Sequence, residues 1–320
     1  MRLTVTDMPE RFPAQVATGQ AMSVFPRVMN LALDTNHGTR CVVTIDARAK
    51  APLSPGTARL NVPAGLDFSR IVRPGSGLAI RAGILRIQDA DLTFDFRSAA
   101  AVTWPGEPTR PKHRHPELMA GWGDAWSLFI DAADPSGFAA ALISGSHSSG
   151  FERTLTRRVR TTVPDLMLAS ADMNLPIAWA SLRRLLGTGP GLTPSGDDFA
   201  TGFFLGMQTV SPDQSRQAFL ADLTRATLAQ SCDSTDVSRA CLEHAAAGRF
   251  SAPLTSLVEG IAARANNLPS RLADVLVMGH SSGRDAAFGV LCGLAVTEPD
   301  LRTRVIIKLN HAHLHEKTTQ

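Results

Sequence analysis

Long apolar runs are missing from this sequence: none reaches the roughly 18 residues that a membrane span needs. The first 20 residues have neither the basic start nor the continuous apolar stretch of a secretory signal. No membrane contact and a cytoplasmic location are therefore expected. Cysteine is sparse, and Cys41, Cys232, Cys241 and Cys292 form no C-x-x-C pair, which argues against a zinc knuckle and against a disulfide framework; they are expected to be reduced and mostly buried. Lysine is nearly absent, occurring only at Lys50, Lys112, Lys308 and Lys317, and the formal net charge is only +3. With no basic block interleaved with aromatics, nucleic acid is not an expected partner. The positive charge is carried almost entirely by Arg, the side chain best shaped for bidentate contact with carboxylate or phosphate.

What remains is a folded chain of 320 residues, 44% apolar and long enough for one large core or two ordinary ones. Short extended runs at 40–45, 78–81, 84–87 and 92–96, separated by Pro, Gly and Asp, predict an antiparallel sheet or small barrel. The proline-rich polar run 104–116 reads as a linker. Beyond it the periodicity is helical, with helices expected near 117–131, 137–144, 174–186, 199–209, 213–230, 236–247, 252–265, 270–278 and 284–296. The expected class is α+β, a β-rich domain over 1–110 and a mainly helical domain over 111–320. Residues 304–309 read as a returning strand and 311–320 as a polar tail, whose alternating His311, His313 and His315 suit a frayed terminus better than a metal site.

One pattern occurs twice. Residues 195–206 and 282–293 share the frame S-G-x-D-x-x-x-G-x-x-x-G, each pair of matched positions being 87 apart, so the chain carries an internal repeat. Each copy reads as a helix start in a polar loop, with Ser195 and Ser282 as N-caps and Asp198 and Asp285 completing capping boxes. Gly202, Gly206, Gly289 and Gly293 would let the two helices approach closely, and both N-termini are expected to face one place. A cap does not require the Gly- and Pro-rich loop 187–194 that precedes the first copy. Such a loop feeding a helix offers free backbone N–H groups to an anion.

The candidate substrate-binding residues are accordingly Thr193, Ser195, Gly196, Ser282, Gly283 and Arg284, and the candidate catalytic residues are Asp197, Asp198, His280 and Asp285. The carboxylates set a problem of sign, because negative charge at a helix start repels a second anion. They must accept from a substrate amide, hold a divalent cation, or only cap their helices. Asp197 stands apart, since its counterpart in the second copy is Arg284. His280 suits a proton donor or acceptor near neutral pH. No cofactor is expected; Mg2+ held by the carboxylates stays open, and no metal ligand is assigned. A partial echo at 147–152, beside Arg153, Arg157, Arg158 and Arg160, reads as coincidence next to a solvated helix face. A further helix start falls at 234–239, capped by Thr235 or Asp236.

The runs G-L-T-P-S-G-D-D-F at 191–199 and G-H-S-S-G-R-D at 279–285 resemble the AllH family, a resemblance that takes in nearly the whole chain, including 24–31 and 235–248. The resemblance implies a subunit of an oxamate carbamoyltransferase working beside FdrA-type and AllG-type partners in allantoin and purine nitrogen breakdown. It implies phosphorolysis of oxalurate, a small anionic carbamoyl substrate, to oxamate and carbamoyl phosphate. The Ser-Thr-Arg-Thr signature of aspartate and ornithine carbamoyltransferases is absent, so a different scaffold is expected. The residue roles rest on local chemistry, not on the family. Two other readings stay open: a non-catalytic scaffold subunit, and a metal-dependent amide hydrolase acting on ureido compounds.

Overall fold

A computed structural model of the chain describes residues 1–9, 12–13, 16–35, 38, 40–48, 54–62, 65–102, 115–132, 136–143, 150–211, 213–230 and 234–317. It divides into two compact units, Met1–Gly106 and Glu107–Gln320.

Among the described residues the first unit holds nine strands: β1 (Arg2–Pro9), β2 (Val16–Val24), β3 (Val28–Thr35), β4 (Arg40–Asp46), β5 (Thr57–Leu60), β6 (Gly77–Arg81), β7 (Ile84–Ile87), β8 (Leu92–Asp95) and β9 (Ala100–Val102). Their order is β5-β4-β3-β2-β6-β7-β8-β1-β9, and β5 also pairs with β1. That extra pairing closes the sheet into a barrel, which protects its edges from other strands. Alternate residues such as Leu78, Ile80, Leu85 and Ile87 turn inward. They meet Leu31, Ile45, Phe68 and Phe94 in a core separate from that of the second unit.

The second unit is helical: α1 (His115–Asp131), a 3-10 turn (Gly137–Leu142), α2 (Gly150–Ala171), α3 (Leu175–Leu185), α4 (Ser195–Thr209), α5 (Gln214–Gln230), α6 (Asp236–Ala246), α7 (Ala252–Ala262), α8 (Leu268–Leu276), α9 (Ser282–Leu294) and α10 (Pro299–Lys317). The α+β expectation therefore holds. Helices α4 and α9, the two repeat copies, run through its centre, with Phe199, Phe203, Phe204 and Phe288 buried between the surrounding helices. Trp122 of α1 is fully buried and donates its indole N–H to the Leu291 carbonyl at 2.8 Å.

Four expectations are corrected. Residues 304–309 are not a strand but part of α10, where Leu301, Val305 and Leu309 are buried one helical step of four apart. The 22-residue helix α2 has no counterpart among the helices expected from periodicity. On it Arg153, Arg157 and Arg158 are exposed as expected, but Arg160 is buried and donates to the carbonyls of Ala141 at 2.9 Å and Ile143 at 3.0 Å. Cysteines are less buried than expected: Cys41 is half-buried, Cys241 exposed and Cys292 buried, all as free thiols, while Cys232 lies outside the described residues.

Candidate functional site

Chain geometry at the first repeat copy follows from its glycines. Gly187, Gly189 and Gly191 take φ values of 69°, 111° and 103°, a region that other residues enter at a cost. They turn the chain sharply between the end of α3 and Pro194, which precedes Ser195 at the start of α4. The Gly196 N–H bonds back to the Thr188 carbonyl at 3.0 Å. The Thr235 hydroxyl donates to the Leu192 carbonyl and accepts from the Ser238 N–H at 3.1 Å, so Thr235 rather than Asp236 caps α6.

Asp197 is the hub of this segment. It is buried, and its carboxylate accepts from the Gly187 N–H at 2.8 Å, from the Ser238 hydroxyl at 2.6 Å and from the Ser234 hydroxyl. These bonds tie the glycine loop and the start of α6 to the first turn of α4. Its position in the second copy is Arg284, half-buried, with Nη1 3.3 Å from the His280 carbonyl.

The two copies lie side by side and parallel, and their contacts are reciprocal. A side chain at Gly202 would strike the Ala286 carbonyl, and one at Gly289 would strike the Phe199 carbonyl; Gly206 and Gly293 repeat the relation with Val290 and Phe203. Each pair maps onto the other by the 87-residue shift. The glycine ladders thus seat backbone on backbone and bring both helix N-termini together. Across that junction the hydroxyls of Thr193 and Ser282 are 3.0 Å apart.

Asp198 and Asp285 face each other here. Burial raises Asp198 well above the usual carboxylate range, and the neighbouring charges of Asp285 and Asp197 add to this, against the hydroxyls of Ser282 and Thr193. Burial pushes Asp285 up to about 7, against the Ser195 hydroxyl, the Phe138 N–H and the Ser281 hydroxyl. The Phe138 N–H donates to Asp285 Oδ1 at 2.6 Å. Oδ2 of Asp198, Oδ2 of Asp285 and Oγ of Ser195 have no partner of hydrogen-bond geometry among the described residues. Neither Ser195 nor Ser282 acts as an N-cap: Pro194 and Ser281 hold the cap positions, and neither makes a side-chain capping bond to the backbone of its helix. The capping box does not form because the carboxylates point across the junction, where the 3-10 turn supplies Asp285 with its donor.

His280 is exposed and lines a cavity of about 220 Å³ with Ser281, Ser136, Gly137, Phe151 and Pro190. Gly137, at φ 58°, lies against Asp285: a side chain there would collide with the carboxylate. Cys241 reaches solvent, yet the protein packed around it and then Asp198 and Asp197 push its thiol up to about 12. It is no thiolate at neutral pH. Among the described residues no group of three or more His, Cys, Asp or Glu could hold a metal ion.

All ten sequence-derived residues fall at or beside this junction. Thr193, Ser195, Asp198, Ser282 and Asp285 meet directly; Gly196 and Gly283 pack their backbones under the turns, against Leu185 and Val275; Arg284 and His280 stand at the rim; Asp197 faces away toward α6. Sequence reasoning missed Gly137 and Phe138, whose only signal is a small residue before an apolar run. It also missed the partners Ser234 and Ser238 of Asp197, although their segment was read as a helix start. The echo at 147–152 lies outside the described residues up to 149, but its last residues begin α2, and Phe151 and Glu152 line the cavity beside His280.

Fold and site together define an α+β protein with a small barrel and a helical unit in which two glycine-laddered helix starts enclose paired carboxyl groups. Over residues 185–294 the chain matches the model of the family described as oxamate carbamoyltransferase subunit AllH. That stretch runs from the end of α3 to the end of α9 and contains both repeat copies. No solved structure matches the chain.

Proposed function

We propose that the chain is a subunit of an oxamate carbamoyltransferase-like enzyme that binds a carbamoyl-bearing oxyanion where α4 and α9 begin. The observation carrying this reading is that the family match at 185–294 covers the elements that bring Asp198 and Asp285 together. The reaction is phosphorolysis of oxalurate in allantoin and purine nitrogen breakdown. A phosphate oxygen bonds to the carbamoyl carbon, the bond from that carbon to the amide nitrogen breaks, and the nitrogen takes a proton as oxamate leaves with carbamoyl phosphate formed.

Local chemistry supports these steps. The raised affinity of Asp198 and Asp285 for protons removes most of the sign problem at the helix starts, since a protonated carboxyl does not repel an oxyanion. A carboxyl titrating near neutral pH suits the proton delivery that the leaving nitrogen needs. Helix N-termini and Arg284 supply positive potential, each end contributing about 0.3–2 kcal/mol toward a charge, and His280 meets oxygens at the rim. Catalysis on this reading is positioning and electrostatic stabilisation. The enzyme is cytoplasmic, needs no cofactor, and works with FdrA-type and AllG-type subunits.

The test is carbamoyl phosphate formation from oxalurate and phosphate by the chain alone, by the two partners alone, and by all three. Turnover only in the full mixture, lost with Asp285→Asn, is expected. Full turnover by the partners alone would reduce this chain to a scaffold.

A further inference from the structure

Three buried oxygens lie in the first turns of α4 and α9: Asp198 Oδ2, Asp285 Oδ2 and Ser195 Oγ, none with a partner of hydrogen-bond geometry among the described residues. Asp285 and Ser195 are fully buried. Buried polar atoms in folded proteins nearly always find partners, and one left without costs about 1–3 kcal/mol. Turning the Ser195 hydroxyl onto Asp285 satisfies part of this group and leaves the Asp198 oxygen. The Asp198 oxygen that remains, in a carboxyl close enough to Asp285 to feel its charge, therefore marks a place for a polar group from outside the chain. Next to these two carboxyls lies the cavity of about 220 Å³ under His280 and Ser281. Its wall at Gly137 is bare: a Cβ there would fall 2.6 Å from Asp285 Oδ2.

We propose that Asp198 Oδ2 and Asp285 Oδ2 form a subsite for the primary-amide or carbamoyl end of a small ligand that enters from this cavity. The inference rests on the reading of this junction as a carbamoyl-handling site, and adds which atoms read the ligand and which end they read. Ligand chemistry narrows by charge and donor count. A carboxylate or phosphate would set its oxygens against two carboxyl groups that can supply few protons. An ammonium ion would require both groups ionised in a buried setting. A primary amide offers an N–H and a carbonyl oxygen side by side, and two carboxyls sharing one proton offer the matching acceptor and O–H donor. The volume suits a ligand of a few heavy atoms, whose remaining oxygens lie toward Ser281 and His280.

Oxamate and oxalate separate these possibilities, because they share a skeleton and differ by one amide in place of one carboxylate. Each is titrated calorimetrically into the full-length chain, and again into the complex with its partners. Oxamate is expected to bind at least 10-fold more tightly than oxalate, and Asp198→Asn or Asp285→Asn to weaken oxamate at least 10-fold without weakening oxalate. Equal binding of the two ligands, or no oxamate binding to chain or complex at millimolar concentration, overturns the proposal. The ligand pair decides this on the unaltered protein, so an Asn variant that fails to fold does not shield it. Selective oxamate binding with no carbamoyl phosphate formed keeps the subsite and sinks the transferase reading; turnover without amide preference does the reverse.

Discussion

Asp197 and Arg284 occupy the same position in the two repeat copies, yet only one of them is tied into the fold. Asp197 satisfies three donors from two other segments. Its replacement leaves the Gly187 N–H and two hydroxyls without their acceptor; the Ser238 bond is the buried one, and such a loss costs about 1–3 kcal/mol, the two half-buried bonds adding less. Asp197→Ala should therefore lower stability to chemical denaturation by about 3 kcal/mol. This differs from what sequence alone suggested, a residue free for catalysis; a variant of unchanged stability and no turnover would restore that view. Asp285 makes the opposite prediction. Its folded-state pKa, about 7, lies above the ordinary carboxylate value of 3.8, so the folded state holds a proton that the unfolded state gives up. Stability from this group is complete below the unfolded value and is lost as pH rises through the folded one, at up to about 1.4 kcal/mol per pH unit. Between pH 5 and 7 the stability of Asp285→Asn should improve relative to the native chain, and the difference should level off above that. Asp198, shifted in the same direction, adds its own slope, so the comparison is best read as a difference between the two proteins at each pH. A pH-independent difference would mean that Asp285 is not held protonated.

At the scale of elements, the glycine ladders decide whether α4 and α9 can meet at all. Alanine normally improves a helix interior over glycine by about 0.8–1 kcal/mol. Gly202→Ala and Gly289→Ala should nevertheless each destabilise by about 2–3 kcal/mol, because the added Cβ strikes a facing carbonyl and the helices must part. Gly123→Ala on α1 is the control: its Cβ would meet only Arg304 Nη1, at 3.7 Å, and it should stabilise the chain. Thermal unfolding of the three variants checks both signs. The same elements show how far the sequence could be read. The repeat revealed two helix starts and their meeting because small residues every fourth position and a constant shift are local patterns. The target of each carboxylate was not local: Asp285 takes its donor from Phe138, 147 residues away, and Asp197 from serines 37 and 41 residues downstream. Sequence spacing therefore predicted capping boxes where tertiary partners had replaced them. Helix α10 was misread for another reason. The run R-V-I-I-K-L carries β-branched residues, which favour strands locally, while its burial follows the four-residue step of Leu301, Val305 and Leu309.

At the scale of the whole molecule, every residue of the candidate site lies in the unit Glu107–Gln320, and the two units have separate cores. The barrel buries Leu31, Ile45, Phe68 and Phe94 inside a closed set of strands, while the helical unit encloses its aromatic residues among its own helices. A core that makes its own apolar contacts and has enough residues to bury them can fold without a neighbour. A fragment spanning residues 107–320 should thus unfold cooperatively in denaturant and bind oxamate with the affinity of the full chain, whereas a fragment spanning 1–106 should fold without binding it. If the helical fragment binds but no longer supports carbamoyl phosphate formation with the partner subunits, the barrel's part lies in assembly rather than in chemistry. If the helical fragment does not unfold cooperatively, the two cores depend on each other, and the site must be studied only in the intact chain. Calorimetry on both fragments separates these outcomes, since cooperative unfolding and ligand binding are read from the same samples.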